Sequence, residues 1–293
     1  MTIVVTGATG QLGHLAVEAL LRRGADPTDV VATGRDLTKL ADLAERGVRT
    51  VAADYSDPAS LRAAFDGADR VLFVSGSEVG QRVAQHTNVV EAAVAAGVGL
   101  LVYTSIPQAD TSDLVLAQEH RATEQVIRES GLPWVFLRNS WYLENYTPQV
   151  PTYLEHGAVL GAAGQGQVSA AARADFADAA AAVLLDPGAT GGTVHELGGT
   201  ESFTLAELAA AVADASGQDV TYTDLPETEL VAALVGAGLP EPYAAVLADA
   251  DRGIADGALE VTTGDLERLI GRAPTTMREA VTDAVTALRA ARA

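Results

Sequence analysis

The glycine-rich turn TGATGQLG, residues 6–13, constrains the fold of this chain more than any other stretch. It follows TIVVT, a β-branched run typical of a buried strand, and it leads into LAVEALLRRG, whose apolar spacing predicts a helix. A strand, a tight glycine turn and a helix in direct succession form the start of a βαβ unit. The sequence therefore predicts that the chain opens with two parallel strands joined through a helix.

The alternation of strand and helix patterns continues to about residue 139. The predicted strands are residues 2–6, 30–33, 50–53, 70–74, 100–104 and 134–138, with helical patterns between them. Continuous apolar runs of this kind belong to strands that are covered on both faces, as in parallel sheets. We predict an α/β fold with a doubly wound parallel sheet, a Rossmann domain, over residues 1–150.

The rhythm changes after this domain. Two prolines, at 148 and 151, and the glycine-rich run HGAVLGAAGQGQ, residues 156–167, predict a loop region. Beyond it come a helical pattern, the short strand TVHELGG, a helix opened by a Thr204-x-x-Glu207 capping box, the strand VTYTDL and further helices. We predict a smaller α+β, substrate-binding portion over residues 151–293, with some segments returning to the first domain.

Composition excludes several kinds of site and partner. The 293 residues include no cysteine, and the five histidines are widely separated, so we predict no metal site. The formal charge of −20 opposes binding to nucleic acid or to anionic membranes. No apolar stretch reaches the ~20 residues of a membrane span, and the N-terminal run lacks the basic residues of a secretion signal. We expect a cytoplasmic protein with a small-molecule substrate, and the choice between a monomer and a homodimer stays open.

The glycine turn has the spacing of a dinucleotide-binding site. Gly7 permits a positive φ, Gly10 lets the backbone approach a pyrophosphate, and Gly13 lets the helix pack closely on the strand. The following helix directs its N–H groups and the positive end of its dipole toward the phosphates. We expect the whole turn to bind the cofactor, through Gly7, Ala8, Thr9, Gly10, Gln11, Leu12 and Gly13.

The end of the second strand bears on the choice of nucleotide. It reads ATGRDLTK, with Arg35 where an NAD enzyme usually has an acidic residue for the ribose diol. Arg35, with Lys39 one helical turn further on, suits a 2′-phosphate, so NADPH is favoured and NADH remains possible. Asp36 offers the alternative, since its carboxylate is able to turn toward the ribose.

Two further segments are expected to contact the cofactor. Asp54 and Tyr55 follow the third strand, where the adenine edge is usually held, although a local turn explains Asp54 equally well. Three small residues after the fourth strand, Ser75, Gly76 and Ser77, fit the close passage of ribose and phosphates.

The spacing Gly7-x-x-Gly10-x-x-Gly13 resembles that of the extended and atypical short-chain reductases. The helix that begins LVLAQEHRATEQ, residues 114–125, lacks the usual proton donor of short-chain reductases. Most of those enzymes carry Tyr-x-x-x-Lys on this helix. Alignment on Glu124 places Leu116 at the tyrosine position and His120 at the lysine position. His120 is then either a packed neutral imidazole or a proton relay, because histidine titrates near neutrality.

Several motifs together resemble the NmrA-like, atypical short-chain reductases, a family that includes bacterial quinone and triphenylmethane-dye reductases. They are TGATGQLG, RDLTK, QHTNVVEAAVAAGV, EHRATEQVIRESG, RADFADAAAAVL and especially LRNSWYLENY. The resemblance covers nearly the whole chain. It implies that one segment and one arginine face the cofactor or substrate: Ser140, Trp141, Tyr142, Leu143, Glu144, Asn145 and Arg173.

The missing tyrosine agrees with the chemistry that this resemblance implies. A quinone that accepts hydride becomes a hydroquinone monoanion, whose conjugate acid has a pKa of about 10, so water is able to supply its proton. We expect an NADPH-dependent reductase of quinones or related electrophilic aromatics. The alternatives are an azo or triphenylmethane dye reductase and a non-catalytic NADP(H)-sensing regulator.

Catalysis is then expected to consist chiefly of placing nicotinamide and acceptor face to face. Trp141 and Tyr142 are predicted to form a flat wall for the acceptor ring, with Ser105 or the Tyr142 hydroxyl donating to its oxygen. The alternative is that both aromatic side chains only anchor a loop into the core.

Overall fold

The computed structural model describes residues 1–76, 78 and 80–292. Its strands are β1 (Ile3–Val5), β2 (Val30–Gly34), β3 (Arg49–Ala52), β4 (Arg70–Phe73), β5 (Leu100–Ser105), β6 (Trp134–Asn139), β7 (Ala158–Gly161), β8 (Thr193–Leu197) and β9 (Thr221–Asp224). Its helices are α1 (Gln11–Arg22), α2 (Ala41–Glu45), α3 (Pro58–Ala64), α4 (Arg82–Ala96), α5 (Val115–Glu129), α6 (Val150–His156), α7 (Arg173–Leu185), α8 (Leu205–Ser216), α9 (Glu227–Gly236), α10 (Glu241–Ala255), α11 (Asp265–Ile270) and α12 (Met277–Arg292).

Seven strands form one parallel sheet in the order β3-β2-β1-β4-β5-β6-β8. The predicted doubly wound Rossmann sheet is confirmed, and all six strands predicted before residue 139 are present within one or two residues of their expected bounds. Strand order reverses between β1 and β4. In sheets of this kind, ligands bind beyond the carboxyl ends of the strands at that reversal.

Helices cover both faces of the sheet. On one face, α1, α7 and α11 bury apolar side chains against β1 and its neighbours, including Leu20, Phe176 and Leu266. On the other face, α3, α4 and α5 enclose a second core that contains Phe65 and Phe73. Burial on both faces explains why the strands read as continuous apolar runs.

A smaller portion lies at the carboxyl edge of the sheet. The short parallel sheet β7-β9 packs with α6, α8, α10 and α12 around a third core, which includes Val159, Leu208 and Val281. The chain passes between the two portions several times, because α7 packs on α1 and β8 pairs with β6.

The expectation of a loop over 148–167 is wrong in part. Helix α6 begins beside Pro151, which occupies the first helical turn, where a missing N–H costs no hydrogen bond. Strand β7 then forms inside the glycine-rich run, because β9, some 60 residues later, supplies its partner: Ala158 pairs with Thr221. A pairing partner at that distance leaves no local signal.

Local signals for helix ends are confirmed. The Asp57 side chain accepts a hydrogen bond from the Ala59 N–H ahead of α3, and Thr204 with Glu207 forms the expected capping box on α8. Within the part of the chain that the structure describes, no helix is long and apolar enough to cross a membrane.

Candidate active site

The glycine turn has the backbone geometry that its spacing predicts. Gly7 has a φ of +61°, a region that favours glycine, and the Gly10 N–H donates to the Gly7 carbonyl at 2.9 Å. A Cβ atom on Gly13 would lie 2.4 Å from that same carbonyl oxygen. Helix α1 therefore packs directly on the turn, and a side chain at residue 13 has no room.

The start of α1 offers backbone donors to an anion. The helix follows Gly10 without a side-chain cap, and its own hydrogen bonds begin with the His14 N–H, which donates to the Gly10 carbonyl at 3.0 Å. The N–H groups of Gln11, Leu12 and Gly13 come earlier in the helix, so no carbonyl of the helix is placed to accept from them. These donors at the carboxyl end of β1 fit a pyrophosphate.

Ala8 and Thr9 shape the turn from the inside. The Ala8 side chain is fully buried, and its N–H donates to the Thr33 carbonyl at 2.8 Å. Thr9 lies against Gly34, where an added Cβ would come within 2.4 Å of the threonine methyl group. Both residues fix the turn onto the end of β2.

Two exposed cations lie beyond β2, as expected for a 2′-phosphate site. The Arg35 guanidinium lies 3.0 Å from the Glu78 carboxylate, and Lys39 is exposed on the short turn Leu37–Leu40. Asp36 caps that turn by accepting from the Thr38 N–H and hydroxyl at 3.1 and 2.6 Å. These bonds from Thr38 lower the pKa of Asp36 and both use its Oδ1 atom, so a contact of Asp36 with the ribose stays an alternative.

Asp54 and Tyr55 have mainly structural partners. Asp54 accepts from the Ser56 N–H at 2.8 Å, which is the local turn that the alternative interpretation required. The Tyr55 hydroxyl is buried between Thr6 Oγ1 and the Val74 carbonyl, each at 2.6 Å, and burial raises its pKa. The Tyr55 hydroxyl therefore joins the ends of β1 and β4, and contact of Tyr55 with the cofactor stays a prediction.

The backbone after β4 is held by a histidine that sequence reasoning missed. The Ser75 N–H donates to Thr104 Oγ1 at 2.9 Å, and the Gly76 N–H donates to His86 Nε2 at 3.0 Å. Because Nε2 accepts, Nδ1 carries the proton and donates to Thr123 Oγ1 at 2.8 Å. Burial, with help from Arg82, lowers the pKa of His86 to about 3. Ser77 lies outside the described residues.

His120 is packed beneath the same edge. Its Nδ1 lies 2.8 Å from the hydroxyl of Tyr103, a fully buried residue of β5. Burial, followed by the nearby charge of Arg82, lowers the pKa of His120 well below its usual value. The imidazole is neutral, and its hydrogen bond leads into the core, so the structure favours packing over a proton relay.

Ser105 does not fit the role of hydrogen-bond donor to an acceptor. Its hydroxyl donates to Glu124 Oε1 at 2.7 Å, and Arg138 contacts both oxygens of that carboxylate at 2.9 and 2.6 Å. Since a hydroxyl has one proton to donate, that proton is already committed. While it bonds Glu124, Ser105 has no proton free for an acceptor oxygen.

The segment after β6 is fixed from several sides. Ser140 is buried and donates to the Leu259 carbonyl at 2.9 Å, and Leu143 lies in the core of the smaller portion. Both oxygens of Glu144 accept from the Arg173 N–H at 3.0 Å and so cap α7. The side chains of Ser140 and Leu143 point into packed surroundings, and contact of this segment with the cofactor stays a prediction.

Tyr142 and Arg173 form the polar and aromatic part of this segment. The Arg173 guanidinium lies 4.8 Å from the centre of the Tyr142 ring and donates to Asn145 Oδ1 at 3.2 Å. The other side of Tyr142 meets the edge of Phe176. Trp141 is half-buried against the smaller portion and Tyr142 against the sheet core, so the two rings lie where the two portions meet.

Asn139 is a second residue that sequence reasoning missed. It ends β6 directly before this segment, and its Nδ2 donates to the Tyr142 hydroxyl at 3.4 Å. Among the described residues, its buried Oδ1 atom finds no hydrogen-bond partner. A buried acceptor without a partner costs about 1–3 kcal/mol, so an arriving N–H donor would be stabilised there. The only signal in the sequence is its place immediately after a predicted strand.

The chain matches known proteins along most of its length. The sequence profile of the NmrA-like family fits residues 1–282. The chain belongs to the NmrA-like family. Within that family it is 46% identical over 279 residues to quinone oxidoreductase 2 of Escherichia coli, across 95% of this chain and 97% of that protein.

Solved structures of NmrA-like proteins superpose closely. The NADPH-dependent quinone oxidoreductase of Escherichia coli, complexed with NADPH, has a TM-score of 0.93 and 44% identity, covering 98% of this chain and all of that one. Triphenylmethane reductase from Citrobacter sp. has a TM-score of 0.92 and 36% identity, covering 98% of this chain and all of that one. The family expected from the motifs is confirmed.

Proposed function

We propose that this NmrA-like protein is an NADPH-dependent oxidoreductase that reduces quinones or related electrophilic aromatic acceptors. The observation that carries the proposal is its 46% identity to Escherichia coli quinone oxidoreductase 2 over 95% of the chain. A chemical observation also supports it. Leu116 and a neutral, buried His120 occupy the positions where most short-chain reductases have the tyrosine and lysine of Tyr-x-x-x-Lys.

The cofactor fits the residues at the carboxyl edge of the sheet. NADPH would supply the hydride, with its pyrophosphate at the N–H groups of Gln11 to Gly13. Arg35 and Lys39 would hold the 2′-phosphate, which NADH lacks. The buried Oδ1 atom of Asn139 suits the amide N–H of a nicotinamide.

The acceptor would bind where the sheet and the smaller portion meet, against Trp141 and Tyr142. Burial raises the pKa of Tyr142, so its hydroxyl keeps its proton at neutral pH and is able to donate to a quinone oxygen. The Arg173 charge over the same ring favours the negative charge that develops on that oxygen. With Ser105 committed to Glu124, Tyr142 is the donor that remains of the two predicted.

Cationic dyes are a second candidate class of acceptor, favoured by the 36% identity to triphenylmethane reductase. Such a cation becomes neutral when it takes hydride and needs no proton. A hydroxyl donor is therefore important for a quinone but not for the dye, and this difference provides a test of the site.

The test measures NADPH oxidation with a benzoquinone, a naphthoquinone, an azo dye and a triphenylmethane dye. We expect turnover of the quinones, and we expect Tyr142→Phe to lower kcat/KM for them about tenfold, the value of roughly one lost hydrogen bond. The same variant should leave dye reduction and the Kd of NADPH within twofold. Tyr243→Phe, which alters an exposed ring on α10, is the matched control.

One outcome counts against the reductase function, and another counts only against the role of Tyr142. Tight NADPH binding without turnover of any acceptor would leave the sensing regulator as the better interpretation. Equal effects of Tyr142→Phe on quinones and dye would remove Tyr142 as the donor, while the reductase function itself would stand.

A further inference from the structure

The loop between β5 and α5, residues 106–114, connects the sheet to the smaller portion. It leaves the carboxyl end of β5, and its Ile106, Ala109 and Leu114 side chains lie in the core of the smaller portion. Leu114 lies so close to α10 that a Cβ on Gly253 would come within 2.4 Å of it. Trp141, which we propose as part of the acceptor site, packs against the same core, so the course of this loop affects the position of that site.

Gln108, in the middle of this loop, has an unfavourable backbone conformation. Its φ of +50° lies in the left-handed region, and it is the one residue other than glycine with a positive φ in the described part of the chain. Residues with a side chain adopt this region at a cost and keep it only when their surroundings enforce it. The Gln108 N–H donates to both oxygens of Glu196 at 3.3 and 3.1 Å, and its side chain donates to the Gly257 carbonyl at 3.4 Å.

Glu196, on β8, is itself held by Arg138. The Arg138 Nη1 atom donates to Glu196 Oε1 at 3.0 Å, while Nε and Nη2 donate to Glu124 at 2.9 and 2.6 Å. The Arg138 side chain is 5% exposed, and that of Glu124 is fully buried. One arginine thus bridges a carboxylate of α5 and a carboxylate of β8 inside the protein.

The connection from Ser105, at the end of β5, to Asp110 is attached to this ionic network at three points. Ser105 donates to Glu124 at 2.7 Å, Gln108 donates to Glu196, and Asp110 lies 2.8 Å from Arg138. The first and last of these attachments hold the ends of the turn. The middle one holds the single residue whose backbone conformation is unfavourable.

We propose that Glu196 is a positioning residue, which acts through the Gln108 amide to fix the β5–α5 loop and thereby lowers the KM for the acceptor. Glu196 contacts the loop and not the reacting atoms, so it affects binding of the acceptor more than the hydride step. The part of the inference that concerns the acceptor rests on the proposed function.

The test compares Glu196→Ala with the double variant Glu196→Ala/Gln108→Gly. Removing Glu196 leaves Arg138 paired with Glu124 and Asp110, so the buried charge keeps its partners and the fold is expected to persist. With an uncharged naphthoquinone, Glu196→Ala should raise KM about fivefold to tenfold, the cost of one left-handed residue. The kcat and the Kd of NADPH should stay within twofold.

Glycine at residue 108 distinguishes a loss of loop positioning from a general disturbance of the structure by Glu196→Ala. Because glycine adopts the left-handed region readily, the double variant should recover most of the lost affinity for the acceptor, and Gln108→Gly alone should change KM little. Glu201→Ala, which removes an exposed carboxylate five residues away, is the matched control for charge. An unchanged KM in Glu196→Ala, or a raised KM that glycine does not restore, would overturn the proposal.

Hydrogen exchange of the peptide that covers residues 106–114 separates this proposal from the proposed function. We expect faster exchange in Glu196→Ala, and equal rates in the variant and the wild type would contradict the positioning role even if quinones are turned over. If the wild type reduces no acceptor, the proposed function fails together with the effect on KM. Faster exchange in Glu196→Ala would then still support control of the loop by Glu196.

Discussion

Two buried histidines lie beneath the candidate site, and each is hydrogen-bonded within the protein. His86 accepts from the Gly76 N–H, and His120 bonds the Tyr103 hydroxyl; burial lowers the pKa of both. Both rings are therefore neutral at physiological pH; His86 bonds Gly76 and Thr123, and His120 bonds Tyr103. They hold the backbone and the packing beneath the carboxyl edge, whereas Arg35 is exposed at that edge.

Arg35 provides a prediction at the level of a single side chain. Arg35→Ala should raise the KM for NADPH about tenfold, because a charged hydrogen bond to phosphate contributes roughly 1.5–3 kcal/mol. The KM for NADH should change less than twofold, because NADH lacks the 2′-phosphate. Loss of the exposed pair between Arg35 and Glu78 should destabilise the protein little. Steady-state kinetics with both nucleotides measure this.

Arg62→Ala, on the exposed surface of α3, is the control and should alter neither constant. Equal losses with NADPH and NADH in Arg35→Ala would argue against recognition of the 2′-phosphate.

At the level of elements, the sequence predicts those features whose interacting residues lie within a few positions of one another. The glycine turn, the β-branched strands and the caps at Asp57 and Thr204 involve neighbours in sequence, and the structure has them. Strand β7 was missed because its partner lies some 60 residues away. The bond from Ser105 to Glu124 left no local signal for a similar reason, since Glu124 belongs to the next helix.

The contact between α1 and the glycine turn provides a prediction about an element. Gly13→Ala places a Cβ 2.4 Å from the Gly7 carbonyl oxygen, so backbone must move. Overpacking of this kind costs about 1–3 kcal/mol, and we expect that loss in the free energy of unfolding. NADPH binding should weaken as well, because the N–H groups at the start of α1 move with it.

Gly236→Ala is the matched substitution, since a Cβ at the end of α9 meets nothing within 4 Å. It should stabilise the protein by up to about 1 kcal/mol. Urea unfolding and NADPH titration of the two variants measure both effects. A Gly13→Ala protein that is as stable as the wild type and binds NADPH as tightly would refute the close packing.

For the whole molecule, the dominant electrostatic fact is a net charge of −20, most of it at the surface. Asp251 on α10 is an exception, because it is largely buried and accepts from the Ala162 N–H at 2.8 Å. Burial, with a contribution from Asp224, raises its pKa from 3.8 to about 6. The folded protein thus ionises this carboxyl less readily than the unfolded chain does.

This shift predicts how the stability of the whole protein depends on pH. A raised pKa in the folded state contributes stability that is present below pH 4 and is lost as the pH rises through about 6. Asp251→Asn keeps an acceptor for Ala162 without the charge. It should therefore be more stable than the wild type at pH 7.5, by about 1–3 kcal/mol, and differ much less at pH 4.

Urea unfolding at the two pH values measures the difference. Asp283→Asn, an exposed site on α12, removes the same charge and should show no such dependence on pH. A gain in stability that is the same at both pH values would mean that Asp251 ionises normally.

The repeated passage of the chain between its two portions has a consequence for how the protein is made. When residues 1–150 have emerged from the ribosome, α7 and β8 have not yet emerged. Side chains of α7 cover α1 in the folded protein, and β8 pairs with the edge of β6. The growing chain must therefore carry an uncovered apolar helix and an open strand edge until residue 197 has emerged. Nascent chains stopped at residue 150 should bind chaperones, and those stopped well beyond residue 197 should bind them less.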